Sequence, residues 1–329
     1  MDLGIAGKVA LVTGGSRGLG LACAERLGQE GCRVVIAARD PERIQRAVDK
    51  MRDEGIQAQG FSADIATKVG IDKLAADLKA KGLEPDILVF NNSGPPNPNF
   101  EDATDEEYLV AYQRMVMAFN WAVKATLPAM KQRRWGRIVT LGSYCVKEPH
   151  SELKMVLHNL IRPAAVGLAK PVADEVGEFG ITVNTIGTGT IDGGDEESTF
   201  RVNYRKRAAE RGITFEEMKA IRVAPIPMQR AGEPSEVAGL CAYLALRSSR
   251  RAPGDIALML LVGYAVIRFG TEFLRADNKL YAFGMTFSQV VSVYILLGCV
   301  AIAGLRAFVR MQTLASAPKI PQPAPIAVD

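Results

Sequence analysis

The chain has 329 residues, 48% of them apolar and 23% charged, and a formal net charge of +4. That length holds one large α/β domain with an appendage, or two ordinary domains, and so mild a charge excludes a nucleic-acid surface. Five cysteines without a CxxC pair, beside only two histidines, exclude a zinc pattern and suit a reducing cytoplasm.

The opening "MDLGIAGKVALVTGG" has an acidic second residue and runs straight into a strand, so no signal peptide is expected. From residue 8 short β-branched runs alternate with helical patterns: "KVALVT", a helix near 18–30, "RVVIAA", a helix, "QAQGFSA", a helix, and "DILVFNN". Strands buried on both faces read as such continuous apolar runs, so this rhythm predicts repeated βαβ units and a doubly wound parallel sheet. It continues through a long helix over 105–133, the strand "GRIVTLGS", a helix carrying "NLIRPAAVGLAKPVADEVGEF" and the strand "GITVNTIG". Residues 192–230 are charged and irregular and are expected to form short helices over a ligand cleft. A helix from Pro234 to about Arg247 follows.

Beyond it the character changes. Residues 256–274 and 287–308 form two apolar runs, the first broken only by Arg268 and Glu272, the second carrying Arg306 alone. Each suffices to cross a bilayer, which takes about 20 residues, so a transmembrane helical hairpin is expected. Arg247, Arg250 and Arg251 precede the first run and Arg306 and Arg310 end the second, which puts both outer ends in the cytoplasm. The domains expected are therefore 1–250, a membrane segment over 251–311 and a disordered Pro/Ala-rich tail over 312–329. The first domain is expected at the cytoplasmic face of the inner or plasma membrane.

"TGGSRGLG", Thr13 to Gly20, lies between the first strand and the first helix. Its glycines permit a tight turn and close backbone approach, leaving helix N–H groups to face a pyrophosphate. "AAR" ends the second strand, "ADI" stands at 63–65 and "NNSG" at 91–94. Together these motifs resemble the short-chain dehydrogenase/reductase family, over about residues 5–247. The resemblance implies a Rossmann fold and a nicotinamide cofactor held by Gly14, Ser16, Arg17, Gly18, Leu19, Gly20, Arg39, Asp64, Ile65, Asn91, Gly94 and Ile191, the last in a "TGTI" version of the family's "PGxI" turn. Arg39 and Arg17 offer cations where an NAD site usually offers a carboxylate, so NADP(H) is favoured, with Asp40 beside them as the opposing charge.

In that family a serine polarises the substrate carbonyl, a tyrosine moves the proton, a lysine four residues on holds the ribose and an asparagine supports a relay. Ser143 matches the serine. Aligning the following helix on "VGLAK" puts His158 and Arg162 at the tyrosine and lysine positions; counting thirteen residues from Ser143 gives Val156 and Leu160 instead. Met115 falls near the asparagine position, with Asn120 five residues on. His158 and Arg162 share a helical face, and a histidine of reference pKa about 6.5 can serve as a general acid, while the arginine's charge would favour its neutral form. Tyr144 is a further candidate. Some family members with serine and arginine at these two positions are reductases, so the resemblance implies a carbonyl or 3-oxoacyl reductase-like activity on a small-molecule carbonyl substrate, or a catalytically weak cofactor-binding relative.

Where the family adds its last strand, this chain reads "GYAVIRFGTEFLR" and "GMTFSQVVS". This resembles the last two transmembrane helices of prolipoprotein diacylglyceryl transferase, with Arg268 and Glu272 at the lipid-handling positions. The rest of that enzyme's signature is absent; the alternative is a transferase-like membrane protein fragment with a reductase-like passenger, or a fusion. The missing strand is expected to leave the sixth strand as an exposed edge and to alter any homo-oligomer surface.

Overall fold

A computed structural model describes residues 4–96, 98–147, 149, 155–193, 196–245, 261–262, 280–282 and 285–315. The chain divides into two units, residues 1–247 and 248–329. In the first, β1 (Val9–Thr13), β2 (Arg33–Ala38), β3 (Ala58–Ser62), β4 (Ile87–Phe90), β5 (Gly136–Leu141) and β6 (Ile181–Ile186) form one parallel sheet in the order β3-β2-β1-β4-β5-β6. The apolar runs behave as expected of central strands, since β1, β4 and β5 are buried along their whole length. Helices α1 (Gly18–Gln29), α2 (Pro41–Asp53) and α9 (Pro234–Ala245) cover one face; α3 (Lys68–Ala80), α5 (Ala118–Arg133) and α6 (Val156–Val176) cover the other. The strand order reverses between β1 and β4. In an open sheet, the crevice beyond the carboxyl ends of those two strands is where a ligand binds.

At the opposite end of the sheet Asp86 joins three elements. Its Oδ2 accepts from Val9 N at 3.0 Å, its Oδ1 pairs with Arg133 Nε at 2.8 Å, and its backbone carbonyl accepts from Arg137 N. Asp86 is 7% exposed, so removing its carboxylate strands the buried Val9 N–H, while Arg133, a third exposed, keeps its bonds to the Glu84 and Pro85 carbonyls. Asp86→Ala is expected to lower the unfolding free energy by about 2 kcal/mol, read from the urea midpoint.

The long helix expected over 105–133 is three pieces. α4 (Asp105–Tyr112), opened by a Thr104–Glu107 capping box, passes through a π-helical turn at Gln113–Met117 into α5. Asn92 Nδ2 donates to the Arg114 carbonyl at 2.7 Å, a claim on that oxygen that the wider π-turn accommodates. The charged segment contains α7 (Thr199–Arg211) and α8 (Phe215–Val223). Among the described residues no strand pairs with the outer edge of β6.

In the second unit, β7 (Leu280–Ala282) pairs antiparallel with β8 (Met285–Thr286), and α10 (Phe287–Ala315) follows. A reciprocal capping pair opens α10: Thr286 N donates to Gln289 Oε1 at 3.0 Å and Gln289 N to Thr286 Oγ1 at 3.3 Å. Among the described residues no helix is long and apolar enough to cross a membrane. The expected hairpin is therefore not displayed by them: its first run lies outside the described residues except for Leu261 and Val262, as do Arg268, Glu272 and the tail from 316. The second run is helical, and the helix continues past the expected boundary at 311 to Ala315.

Candidate active site

The glycine loop is fastened to the end of β4. Thr13 Oγ1 donates to the Asn91 carbonyl and accepts from Asn91 N, both at 2.9 Å, while Asn91 Nδ2 donates to the Gly14 carbonyl at 3.3 Å. The approach is so close that a Cβ on Gly20 would lie 2.2 Å from the Gly14 carbonyl oxygen, and one on Gly14, whose φ is +59°, would lie 2.9 Å from Asn91. Gly18 is the opposite case. It has φ +55° with nothing within 4 Å of where its Cβ would point, so here the backbone itself demands glycine. Arg17, the residue before α1, supplies no side-chain cap, which leaves the first amides of α1 to an anion. Ser16 and Leu19 complete the loop, Leu19 packing on the core beneath it.

Arg39 lies exposed at the end of β2, and the Asp40 carboxylate beside it is already committed. Asp40 Oδ1 caps α2 by accepting from Glu42 N and Arg43 N, and Oδ2 pairs with Arg43 Nε at 3.1 Å. The opposing charge read in the sequence is thus neutralised by its own helix. Asp64 Oδ1 accepts from Ala66 N at 3.1 Å and Ile65 is buried in the sheet's second core. Ile191 bridges to Gly232, so the "TGTI" turn is pinned to the loop before α9. Thr188 Oγ1 pins its other end to the Gly142 carbonyl at 2.7 Å.

Ser143 follows β5 and is 9% exposed; its Oγ accepts from Cys145 N, leaving the hydroxyl proton to be given elsewhere. Tyr144 beside it turns to another partner, its Oη accepting from Arg222 Nη2 at 2.5 Å. On α6 His158 is 6% exposed whereas Leu160 is 56% exposed, so of the two candidates it is His158 that faces the interior. Arg162 Nε donates to His158 Nδ1 at 3.0 Å, which makes Nε2 the protonated nitrogen, and Nε2 lies 2.9 Å from the Pro95 carbonyl it donates to. Burial, then the Arg162 charge, push the His158 pKa down to about 4, so the ring is neutral. Burial also lowers Arg162 below the usual guanidinium range. Gly94 belongs to the same assembly, because a Cβ there would lie 2.3 Å from His158 Cε1. Met115 sits in the π-turn, packed with Leu157 and Ile161.

Sequence reasoning missed Pro95 as the acceptor for His158, the π-turn that Asn92 holds, the Tyr144–Arg222 contact and Arg43. Of these only Arg43, a third cation close after Arg17 and Arg39 in the first turn of α2, carried a signal in the sequence.

The family model for short chain dehydrogenase matches residues 8–201. The chain belongs to this family. A rabbit (Oryctolagus cuniculus) protein, dehydrogenase/reductase SDR family member 4, is 29% identical to this short-chain dehydrogenase over 78% of its length and 93% of the relative's. Among solved structures, L-sorbose reductase from Gluconobacter frateurii, complexed with NADPH and L-sorbose, superposes with a TM-score of 0.70 at 28% identity, covering 75% of this chain and 92% of that one. A single-substitution variant of actinorhodin polyketide ketoreductase, with NADPH, gives 0.67 at 30% identity over 76% and 92%. A second model, prolipoprotein diacylglyceryl transferase, matches residues 178–304. That match begins just before β6 and runs through β6, α7, α8 and α9, which here belong to the dehydrogenase fold, before it enters the second unit.

Proposed function

We propose that this short-chain dehydrogenase binds NADP(H) at the glycine loop and uses it to reduce a small-molecule carbonyl compound through an altered active site. The observation that carries the proposal is the loop itself: Gly14 and Gly20 pressed against Asn91, Gly18 open to solvent, and an uncapped α1 beyond them. The residues present fit the nucleotide. The α1 amides and Gly18 would take the pyrophosphate, Asp64 and Ile65 the adenine, and Arg17 and Arg39 a 2′-phosphate, with Asn91, Gly94 and Ile191 along the nicotinamide half. Bound NADPH would supply the hydride.

The chain's own groups supply the rest. Ser143, with its oxygen already accepting from Cys145 N, can direct its proton at a carbonyl oxygen and stabilise the charge that develops there. His158 and Arg162 work as a pair. The Arg162 bond fixes the Nε2–H tautomer, and in this proposal that N–H leaves the Pro95 carbonyl for the substrate oxygen. A neutral imidazole polarises well but yields a whole proton poorly, so turnover is slow and the last proton comes from water. Ser143→Ala is expected to lower kcat/KM for NADPH-dependent reduction about 100-fold with nucleotide affinity unchanged, measured by NADPH oxidation across a panel of ketones and aldehydes. Equal loss from nucleotide affinity would place Ser143 in binding instead.

A second reading concerns the C-terminal unit. α10 exposes Val291, Tyr294, Leu297, Val300, Ile302 and Leu305, and an exposed apolar stripe of this size marks a lipid or partner surface. Together with the transferase match, this supports attachment of the protein to the cytoplasmic face of the inner or plasma membrane through residues 251–311, and is compatible with a homo-oligomer. Co-sedimentation with vesicles, lost on deletion from residue 251, tests it. A transferase alternative predicts diacylglyceryl transfer that disappears in Arg268→Ala.

A further inference from the structure

Glu197, in the segment before α7, stands against the nucleotide loop although it lies far from it in sequence. One of its carboxylate oxygens, Oε2, lies 2.7 Å from Arg43 Nη2 and 3.6 Å from Arg17 Nη1, and the Glu197 backbone carbonyl accepts from Arg17 Nη1 at 3.1 Å. Arg17 opens α1 and Arg43 lies in the first turn of α2. Their guanidinium groups therefore converge beside the end of β2, where the adenosine ribose of a dinucleotide comes to rest. Arg43 is held in this position by Asp40, which the α2 amides in turn hold. The neighbouring Glu196 faces the other way, paired with Arg201 and Arg205, so the two adjacent carboxylates have separate partners.

We propose that the Glu197 carboxylate is an internal competitor for the 2′-phosphate of NADPH, and that Arg43 is a determinant of the cofactor preference. The inference rests on the nucleotide reading above. A monoanion bridging two guanidinium groups stands where a phosphate of nearly two charges would bridge them better, since arginine forks match phosphate oxygens in pairs. The carboxylate is two-thirds exposed, and exposed ion pairs are weak, so it is displaceable. Its effect is selective. NADH brings no 2′-phosphate to this corner and leaves the Glu197 contacts standing, whereas NADPH must break them first. Free Glu197 would then be repelled by the phosphate it made way for, so its removal should favour NADPH alone.

The test is nucleotide fluorescence titration of the full-length protein in mild detergent, with NADPH and with NADH, for the unaltered chain, Glu197→Gln, Arg43→Gln and the double variant. Glu197→Gln is expected to bind NADPH about three- to tenfold more tightly and NADH within about twofold of the unaltered chain. Arg43→Gln should weaken NADPH about tenfold, and in that background Glu197→Gln should gain much less, as coupled groups do. Glu197→Ala guards against a peculiarity of the amide. If both nucleotides bind and neither Glu197 variant separates NADPH from NADH, the competitor role is overturned while the nucleotide site stands. If no nucleotide binds any of these proteins, both ideas fall together.

Discussion

Gly20→Ala is expected to weaken nucleotide binding by at least about 100-fold and to lower stability by several kcal/mol. The added methyl would lie 2.2 Å from the Gly14 carbonyl oxygen, which is backbone, and 2.8 Å from Asn91 Nδ2, which is tied to that same oxygen. Relief requires α1 to move off the loop, and that movement costs the Asn91 bond to Gly14 and the packing of Cys23, Ala24 and Leu27 against the sheet. The α1 amides would then no longer face the pyrophosphate position. Gly18→Asp separates the two effects. Space at Gly18 is open, so its cost is the positive φ, roughly 1 kcal/mol, plus a carboxylate placed where phosphates must go. Gly18→Asp should therefore stay folded and still lose the nucleotide. Thermal unfolding and titration of both variants check the pair; a Gly20→Ala protein with unchanged affinity would show that the loop does not hold the ligand.

The second large effect is on acid stability. With the His158 pKa pushed down to about 4 in the folded protein and near 6.5 when unfolded, the ring is neutral in both states above pH 6.5, and its contribution there is complete. Between 6.5 and 4 the unfolded chain takes up a proton that the folded one refuses, so stability falls with falling pH. Below 4 both states are protonated and this loss stops growing. The difference of about 2.5 pH units corresponds to about 3 kcal/mol. Protonation is resisted because Nδ1 is held by Arg162 and a second cation would have to be buried beside it. His158→Gln keeps an acceptor for Arg162 and a donor for Pro95 but does not titrate. The difference between the two proteins' urea-unfolding free energies from pH 7 to pH 4 should be about 3 kcal/mol, the carboxylates common to both cancelling. Parallel pH profiles would place the His158 ring in water.

How far the sequence could be read follows from which forces act locally. The βαβ rhythm and the glycine loop were legible because buried parallel strands need unbroken apolar runs, and because a backbone that must touch Asn91 cannot carry a Cβ. Pairing of His158 with Arg162 was legible from helical spacing. What they do was not, because the acceptor that fixes the ring, Pro95, is brought in by a loop 63 residues away. The same holds for Glu197, 180 residues from Arg17, and for the π-turn, which depends on an Asn92 side chain from another strand end. Asp40 shows the opposite failure: a charge that looked available to a ribose is spent on capping its own helix. The membrane hairpin was read from apolar length, flanking arginines and the transferase resemblance; of its two runs the described residues show the second as a helix with an exposed apolar stripe, and none of their helices is long and apolar enough to cross a membrane.

The central claim, that the glycine loop of this chain holds a nicotinamide nucleotide, is tested most directly by titrating the full-length protein with NADPH and then NADH while following nicotinamide fluorescence. Saturable binding of both, with NADPH the tighter ligand, is the predicted result. Absence of binding by either, from a protein that melts cooperatively, would contradict it.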